Sequence, residues 1–513
     1  MAQEIELKLS VPPQDAPRIW RSRTLSSLPR SKPVSRRLFS AYYDTPARDL
    51  ARRGVALRLR RENGRWMQTV KGSGTAVSGL HARSEFETEV PAQFISFPAL
   101  TEAGLAELVE DAAFRQSLEV VFTTDFMRAT SIAEPASGDR IEISLDRGDI
   151  VAGGRHEALC EIELELKSGS ATRLFDLAAE LAGELPLRLD NVSKAERGYR
   201  LAGAASLRPV KAAASALLED MNVDAAFQAV VSACLQHLQA NERGVLESND
   251  PEYIHQARVA IRRLRCALGL FGHAVPKPHF AGSLTWLKSL AATLGAARDR
   301  DVFCSGLLAE ALSGGVGSLH TSARTIRQRA AAQRGLARKR AKAALADPGY
   351  TQRSLAFSRL LAEGAWAQTR DAAHSGMAAL PLTEFAAKLL LHRDRKVRKR
   401  GSELKRDEPA TLHALRIQIK KLRYACEFFA PLFGRKAVKR YLSRLEALQD
   451  ILGELNDAAT ADRLLDELAS RTGDPGYQQT VGFLRGYAAA SADARLDELG
   501  EAWERFERTE SFW

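Results

Sequence analysis

Glu4-Ile5-Glu6-Leu7-Lys8-Leu9 and Glu161-Ile162-Glu163-Leu164-Glu165-Leu166-Lys167 decide how this chain is read. In both, charged and apolar residues alternate with period two. An extended strand then places every charge on one face and every aliphatic side chain on the other. Arg58 and Arg60 flank Leu59 in the same way, and Arg83, Glu85, Glu87 and Glu89 share one face of a further stretch. For a single strand the plain reading is a sheet with one solvated face. Several strands carrying both signs at matched spacing predict a sheet curled into a barrel with its charged face inward. Such a lining is costly unless a charged ligand and cations fill it.

The alternation continues through GVALRLR, WMQTVKG, SEFETEV and RIEISLD, so residues 1–168 read mostly as strands. Asn63-Gly64, Gly72-Ser73-Gly74, Ser137-Gly138-Asp139 and Gly153-Gly154 punctuate them. The glycine-rich KGSGTAVSG (71–79) lacks the G-x-x-x-x-G-K-[ST] order of a nucleotide loop and reads as a mobile hairpin turn. Helices are expected near 103–118, 171–183 and 193–200. From about residue 211 the period becomes helical. A chain of 513 residues needs more than one core. The expected division is a first domain at 1–203, a linker at 204–215 and a helical domain at 216–513.

The helical part repeats itself at a constant offset of 158. The offset carries Phe227 to Phe385, Pro251 to Pro409, His255 to His413, Arg258 to Arg416, Arg262 to Lys420 and Asp299 to Asp457, with no gap between 227 and 299. Duplication predicts two helical bundles related by a pseudo-twofold axis. Charge is uneven too. Residues 1–205 hold 28 basic and 29 acidic side chains, whereas residues 206–513 hold 46 and 34. The surplus points to a polyanionic partner for the second part.

The residue types in the strands suit a phosphate chain. Arginine forks grip phosphate oxygens in pairs and lysines add point charges. Clustered glutamates would repel such a ligand unless Mg²⁺ or Mn²⁺ stood between, held by oxygen donors. These residues also carry a family pattern. Glu4-x-Glu6-x-Lys8 resembles the E-x-E-x-K signature of the CYTH, or triphosphate tunnel metalloenzyme, family. Tyr43-Asp44-Thr45-Pro46, Leu57-Arg58-Leu59-Arg60, Thr69-Val70-Lys71-Gly72, Arg83-x-Glu85, Arg128, Ser144-Leu145-Asp146, Glu161-x-Glu163 and Ser193-Lys194 follow in order. The resemblance implies an eight-stranded antiparallel tunnel that hydrolyses triphosphates with a divalent metal. By position it makes Glu4, Glu6, Glu161 and Glu163 metal-facing carboxylates, with Asp146 joining them. Lys8, Arg58, Arg60, Lys71, Arg128 and Lys194 grip phosphates. Glu85 orients basic residues or metal-bound water, so Glu4, Glu6, Lys8, Glu85, Glu161 and Glu163 form the implied catalytic set.

In the helical part, Asp250-Pro251-Glu252 reads as a helix start. His255, Arg258, Arg262 and Arg265 follow at spacings of three, four and three, within about 80° on a helix. His413, Arg416, Lys420 and Arg423 repeat the stripe. One basic stripe is ordinarily a solvated face, but duplication of the stripe with its core argues for a shared ligand. Arg324, Arg327, Arg334, Arg338 and Lys342, and Arg393, Lys396, Lys399 and Arg400, add further basic runs. The two histidines read equally as helix-start hydrogen bonders; a phosphotransfer histidine is a rival reading. His255-x-x-Arg258-x-x-x-Arg262-Arg263-Leu264-Arg265, its second copy and Leu448-Gln449-x-x-Leu452-Gly453-x-Leu455-Asn456-Asp457 resemble the CHAD, or conserved histidine α-helical, domain. The resemblance implies two four-helix bundles facing across a groove that binds inorganic polyphosphate. The first copy departs from the pattern at Arg298, where the second has Asn456.

Together the two halves resemble bacterial CYTH-CHAD inorganic triphosphatases, a multi-domain α+β architecture. The implied reaction cleaves inorganic triphosphate to pyrophosphate and phosphate. Two alternatives stay open: a polyphosphate-binding adaptor associated with granules, and a hydrolase of nucleoside or thiamine triphosphate. Nucleic acid is disfavoured, because aromatic residues for base stacking are nearly absent from the stripes. Five cysteines without C-x-x-C spacing suit a reduced cytoplasm. A charged opening decapeptide predicts no signal peptide, and no apolar run is long enough to predict a membrane span.

Overall fold

The computed structural model describes residues 2–62, 64–135, 138–203, 208–313, 320–405, 408–469 and 474–513. Asn63, Ser137 and the first part of the expected linker (204–207) lie outside the described residues, as does the side chain of Arg83. The chain forms two compact units: residues 1–208 with 347–363, and residues 209–346 with 364–513.

In the first unit, alternating stretches form β1 (Ala2–Ser10), β2 (Val34–Asp44), β3 (Ala56–Glu62), β4 (Arg65–Val77) and β5 (Leu80–Val90). They continue with β6 (Glu119–Ala133), β7 (Arg140–Ala152), β8 (Arg155–Ser168) and the two-residue β9 (Arg188–Leu189). The sheet order is β5-β4-β3-β2-β6-β7-β8-β1-β9, and β5 also pairs with β1. All these pairings are antiparallel, so β1 to β8 close a ring and β9 adds to β1. Closure removes sheet edges and creates an inside. On β1, Glu6 and Lys8 face that inside. Leu7 and Leu9 face outward, where they are fully buried with Ile143, Ile162 and Leu164.

The outer apolar face is covered by α1 (Thr172–Glu184), whose Leu174, Ala178 and Leu181 recur at helical spacing. α2 (Lys194–Leu201) begins with a capping box between Ser193 and Glu196. Asp44 of the Tyr-Asp-Thr-Pro stretch is fully buried. It accepts the Leu50 and Ala51 amides at 2.9 and 3.0 Å and the Tyr199 hydroxyl at 3.0 Å. That motif therefore holds a corner together. The glycine-rich stretch 71–79 differs from the mobile turn expected of it. β4 runs through it to Val77, and the two-residue turn Ser78-Gly79 has a fully buried serine.

The second unit is helical. Its first repeat is α3 (Val223–Glu247), α4 (Pro251–Leu270), α5 (Ala281–Ser305) and α6 (His320–Ala346). α7 (Pro348–Glu363) belongs to the first unit, although it falls inside the 216–513 span expected to be one domain. The physical reason is Leu355, which is fully buried in the same core as Leu174 and Leu181. The second repeat is α8 (Leu382–Ser402), α9 (Pro409–Phe429), α10 (Arg435–Ala469) and α11 (Pro475–Glu507). Asp250 caps α4 by accepting the Glu252 amide at 2.8 Å. The repeats meet through equivalent aromatics: the Phe271 ring lies 5.5 Å from Phe385 and 5.8 Å from Phe429. All five cysteines are free. Among the described residues, no helix is long and apolar enough to cross a membrane.

Candidate functional site

The barrel interior holds a cavity of about 250 Å³ lined by charges of both signs. β1 contributes Glu4, Glu6 and Lys8; β3 contributes Arg58 and Arg60; β4 contributes Lys71; β5 contributes Glu85. Arg128, Glu163 and Lys194 reach it from β6, β8 and the start of α2. Strand alternation is what turns them inward. Near the β4–β5 wall, Lys71 Nζ donates to Glu4 at 2.8 Å and lies 3.4 Å from Glu85. Arg58 reaches Glu85 at 3.5 Å. Lys8 Nζ sits 3.0 Å from Glu6 and 2.7 Å from Glu163.

Deeper, Asp146, Glu161 and Glu163 are all buried, and one oxygen of each lies within 4.8 Å of the others. Arg128 holds Asp146 through two hydrogen bonds of 2.7 Å and also contacts Glu163. Lys194 Nζ lies among the three carboxylates, 2.7 Å from Asp146, 2.8 Å from Glu163 and in contact with Glu161. Burial pushes the Glu161 carboxyl up to about 7, against the pull of Lys194. Burial acts on Glu163 as well, but Lys194, Lys8 and Arg128 outweigh it and hold that carboxyl well below the usual range. Burial and the neighbouring Arg58 and Arg128 charges lower Arg60 to about 10. The all-oxygen triad fits a hard divalent ion. The Lys194 ammonium and the Arg128 guanidinium now offset part of the triad's charge, so an ion seated among its oxygens would compete with them.

Of the residues the strand pattern singled out, Glu4, Glu6, Lys8, Arg58, Arg60, Glu85, Glu87, Glu161 and Glu163 are drawn into one cavity or its buried floor, whereas Glu89 is exposed and pairs with Arg65 at 3.4 Å. Two neighbours were not singled out. Tyr42 lines the cavity, and its phenol is pulled below its ordinary value because Arg58 and Arg60 outweigh the effect of burial. Arg197 donates to Glu161 at 3.3 Å. Tyr42 could have been found from the alternation of β2, and Arg197 from its place one helical turn after Lys194.

In the second unit, His255, Arg258 and Arg262 of the first repeat line a cavity of about 370 Å³ together with Arg416 of the second. Arg298, Asp299, Asn456 and Asp457 complete its polar wall. Among the described residues, buried Nε atoms of Arg262 and Arg416 have no hydrogen-bond partner. Burial, with Arg262, Arg416 and Arg258 beside it, lowers Lys420 to about 6. Burial and Arg298 lower His255 to about 4. His413 instead shares a 3.2 Å hydrogen bond with Asn456. The far ends of the stripes diverge: Arg423 pairs with Glu427 at 3.0 Å and Glu446 at 3.4 Å, and Arg265 acts on Lys421. Of the other basic runs, Arg338 is tied to Asp301 at 2.7 Å, while Arg393, Lys396, Lys399 and Arg400 line a separate pocket with Lys421.

The family model of the CYTH domain matches residues 2–199, and that of the CHAD domain matches residues 229–466. An inorganic triphosphatase of Haemophilus influenzae is 36% identical over 202 residues, which are 39% of this chain and 55% of that protein. The crystal structure of the CHAD domain from the plant Ricinus communis is 32% identical, with a TM-score of 0.53, covering 60% of this chain and 99% of that one. A Hippeastrum adenylyl cyclase homologue described as having a dominant triphosphatase activity is 20% identical over 38% of this chain and 95% of its own. Its TM-score of 0.29 carries no weight. The chain is a CYTH domain followed by a CHAD domain.

Proposed function

We propose that the first unit hydrolyses inorganic triphosphate to pyrophosphate and phosphate with Mg²⁺ or Mn²⁺, and that the basic cavity of the second unit binds inorganic polyphosphate. The observation that carries the first reading is a cavity inside a ring of strands, lined by arginines and lysines interleaved with carboxylates. Arg58, Arg60, Lys8 and Lys71 suit the oxygens of a bound phosphate chain, and Arg128 and Lys194 link the cavity to the buried triad. Bound at Asp146, Glu161 and Glu163, with Glu4 and Glu6 nearby, a divalent ion would neutralise phosphate charge and activate water. The side chains already in place orient the chain and stabilise charge on the leaving pyrophosphate as water attacks the terminal phosphorus in line. The 36% identity to the Haemophilus triphosphatase favours inorganic triphosphate over nucleoside or thiamine triphosphate.

The second reading rests on the unpartnered, buried Nε atoms of Arg262 and Arg416 beside a cavity fed by both repeats. Buried donors without partners are costly, and phosphate oxygens would satisfy them. Phosphate release from inorganic triphosphate, nucleoside triphosphate and thiamine triphosphate with added Mg²⁺ or Mn²⁺ tests the enzyme. Wild type is expected to prefer inorganic triphosphate, with Glu161→Ala at least about 100-fold slower. Equal, slow release by both proteins would leave only a binding adaptor.

A further inference from the structure

Residues 347–363 lie between the two helical repeats, after α6 and before α8, and neither repeat has a counterpart of them. They pack in the first unit. Leu355 of α7 is fully buried with Leu9, Leu174 and Leu181. Gln352 Nε2 comes so close to α1 that a Cβ on Gly183 would lie 2.9 Å from it. Arg359 pairs with Asp176. One turn after Leu355, the Ser358 hydroxyl meets the Ser78 hydroxyl in a buried contact between residues 280 positions apart.

Ser78 stands in an unusual place. With Gly79 it makes the two-residue turn between β4 and β5, at φ 54° and 76°. Both angles are left-handed, as such a hairpin demands, and a serine there persists only when its surroundings enforce it. Gly79 accepts the Lys8 amide at 2.8 Å and donates to Asn191 at 2.6 Å. A Cβ at residue 79 would lie 2.5 Å from the Lys8 carbonyl oxygen. Lys8 sits where β1 changes partner, from Leu80 of β5 opposite Leu7 to Leu189 of β9 opposite Leu9. On that side its amide is held by the turn and its carbonyl by the Asp190 amide at 3.0 Å, rather than by one continuing ladder. Its ammonium reaches Glu163 inside the cavity at 2.7 Å.

We propose that α7 is a built-in part of the tunnel, and that Ser358 positions Lys8 through the Ser78-Gly79 turn. Ser358 does not line the cavity, so it is a positioning residue. Its effect on turnover rests on the triphosphatase reading; its effect on the turn does not. Hydrogen exchange on the full chain tests the ordering directly. In Ser358→Ala, the Gly79 and Lys8 amides should exchange about tenfold faster while the β6–β7 ladder is unchanged, and Ser358→Thr should restore protection. Unaltered exchange at both amides overturns the proposal. Leu355→Ala reports docking of the helix separately and should lower the melting temperature by about 5–15 °C; an unshifted transition overturns the assignment of α7 to the tunnel. In turnover, Ser358→Ala should raise KM for inorganic triphosphate about threefold or more, and add nothing in a Lys8→Met background. Additive effects overturn the link to Lys8. If no variant or wild type cleaves triphosphate while exchange still responds, the triphosphatase reading falls and the positioning of Lys8 stands.

Discussion

Lys420 shows how packing rewrites a charge that its residue type alone would describe wrongly. A lysine in a basic stripe reads as a permanent cation. Buried beside Arg262, Arg416 and Arg258, it titrates at about 6 and is mostly neutral above pH 7. A phosphate chain in the cavity would favour the ammonium again, so binding should take up a proton. Calorimetric titration of long-chain polyphosphate at pH 7.5, in buffers of different ionisation enthalpy, should show that uptake, and Lys420→Arg should remove most of it. Zero net uptake would mean that the phosphate chain does not reach Lys420. The sign for stability runs the same way. The unfolded lysine titrates near 10.4, so the unfolded chain binds more protons between about 6 and 10.4. Lys420 therefore makes the free protein more stable as pH rises through that window, a contribution lost as pH falls toward 6.

At the scale of elements, the two stripes on α4 and α9 are alike in sequence and unlike in setting. Arg298 faces His255, whereas Asn456 hydrogen-bonds His413, so one substitution gives the two histidines opposite surroundings. Arg262 lines the cavity from α4, and Lys420, on α9, lies within its electrostatic reach. Charge reversal of both, Arg262→Glu with Lys420→Glu, should weaken polyphosphate binding at least about tenfold more than reversal of two exposed cations on α10, Lys436→Glu with Lys439→Glu. Equal losses from the two pairs would reduce the module to diffuse attraction. The spacing of charges made both stripes legible. It leaves the i,i+4 pair of Arg423 with Glu427 legible as well, but it could not show that Arg423 also meets Glu446, which lies on the next helix.

For the whole molecule, net charge +11 guarantees some affinity for any polyanion. Salt dependence alone separates no partner from another, since every phosphate polymer releases counterions. Competition does. The chain should bind long-chain polyphosphate at least about tenfold more tightly than duplex DNA of equal phosphate content at 0.15 M salt, because a basic cavity of about 370 Å³ suits a bare phosphate chain and is too small for a duplex. Parity between the polymers in a competition assay would remove polyphosphate as the specific ligand.

Both the barrel and the duplication are legible in the chain's residue pattern. Period-two alternation obliges Glu4, Glu6 and Lys8 to share a face, and burying Leu7 and Leu9 then sends that face inward. A gapless offset of 158 likewise obliges equivalent residues to share equivalent helices. Which cations are spent on protein carboxylates emerges only on folding, because Lys194 meets Asp146, Glu161 and Glu163 only when β7, β8 and α2 converge. Folding also decided that α7 belongs with the strands. A short amphipathic helix in a helical stretch carries no mark of its partner; Leu355 found its core, and Ser358 its serine, through contacts across more than 160 residues of chain.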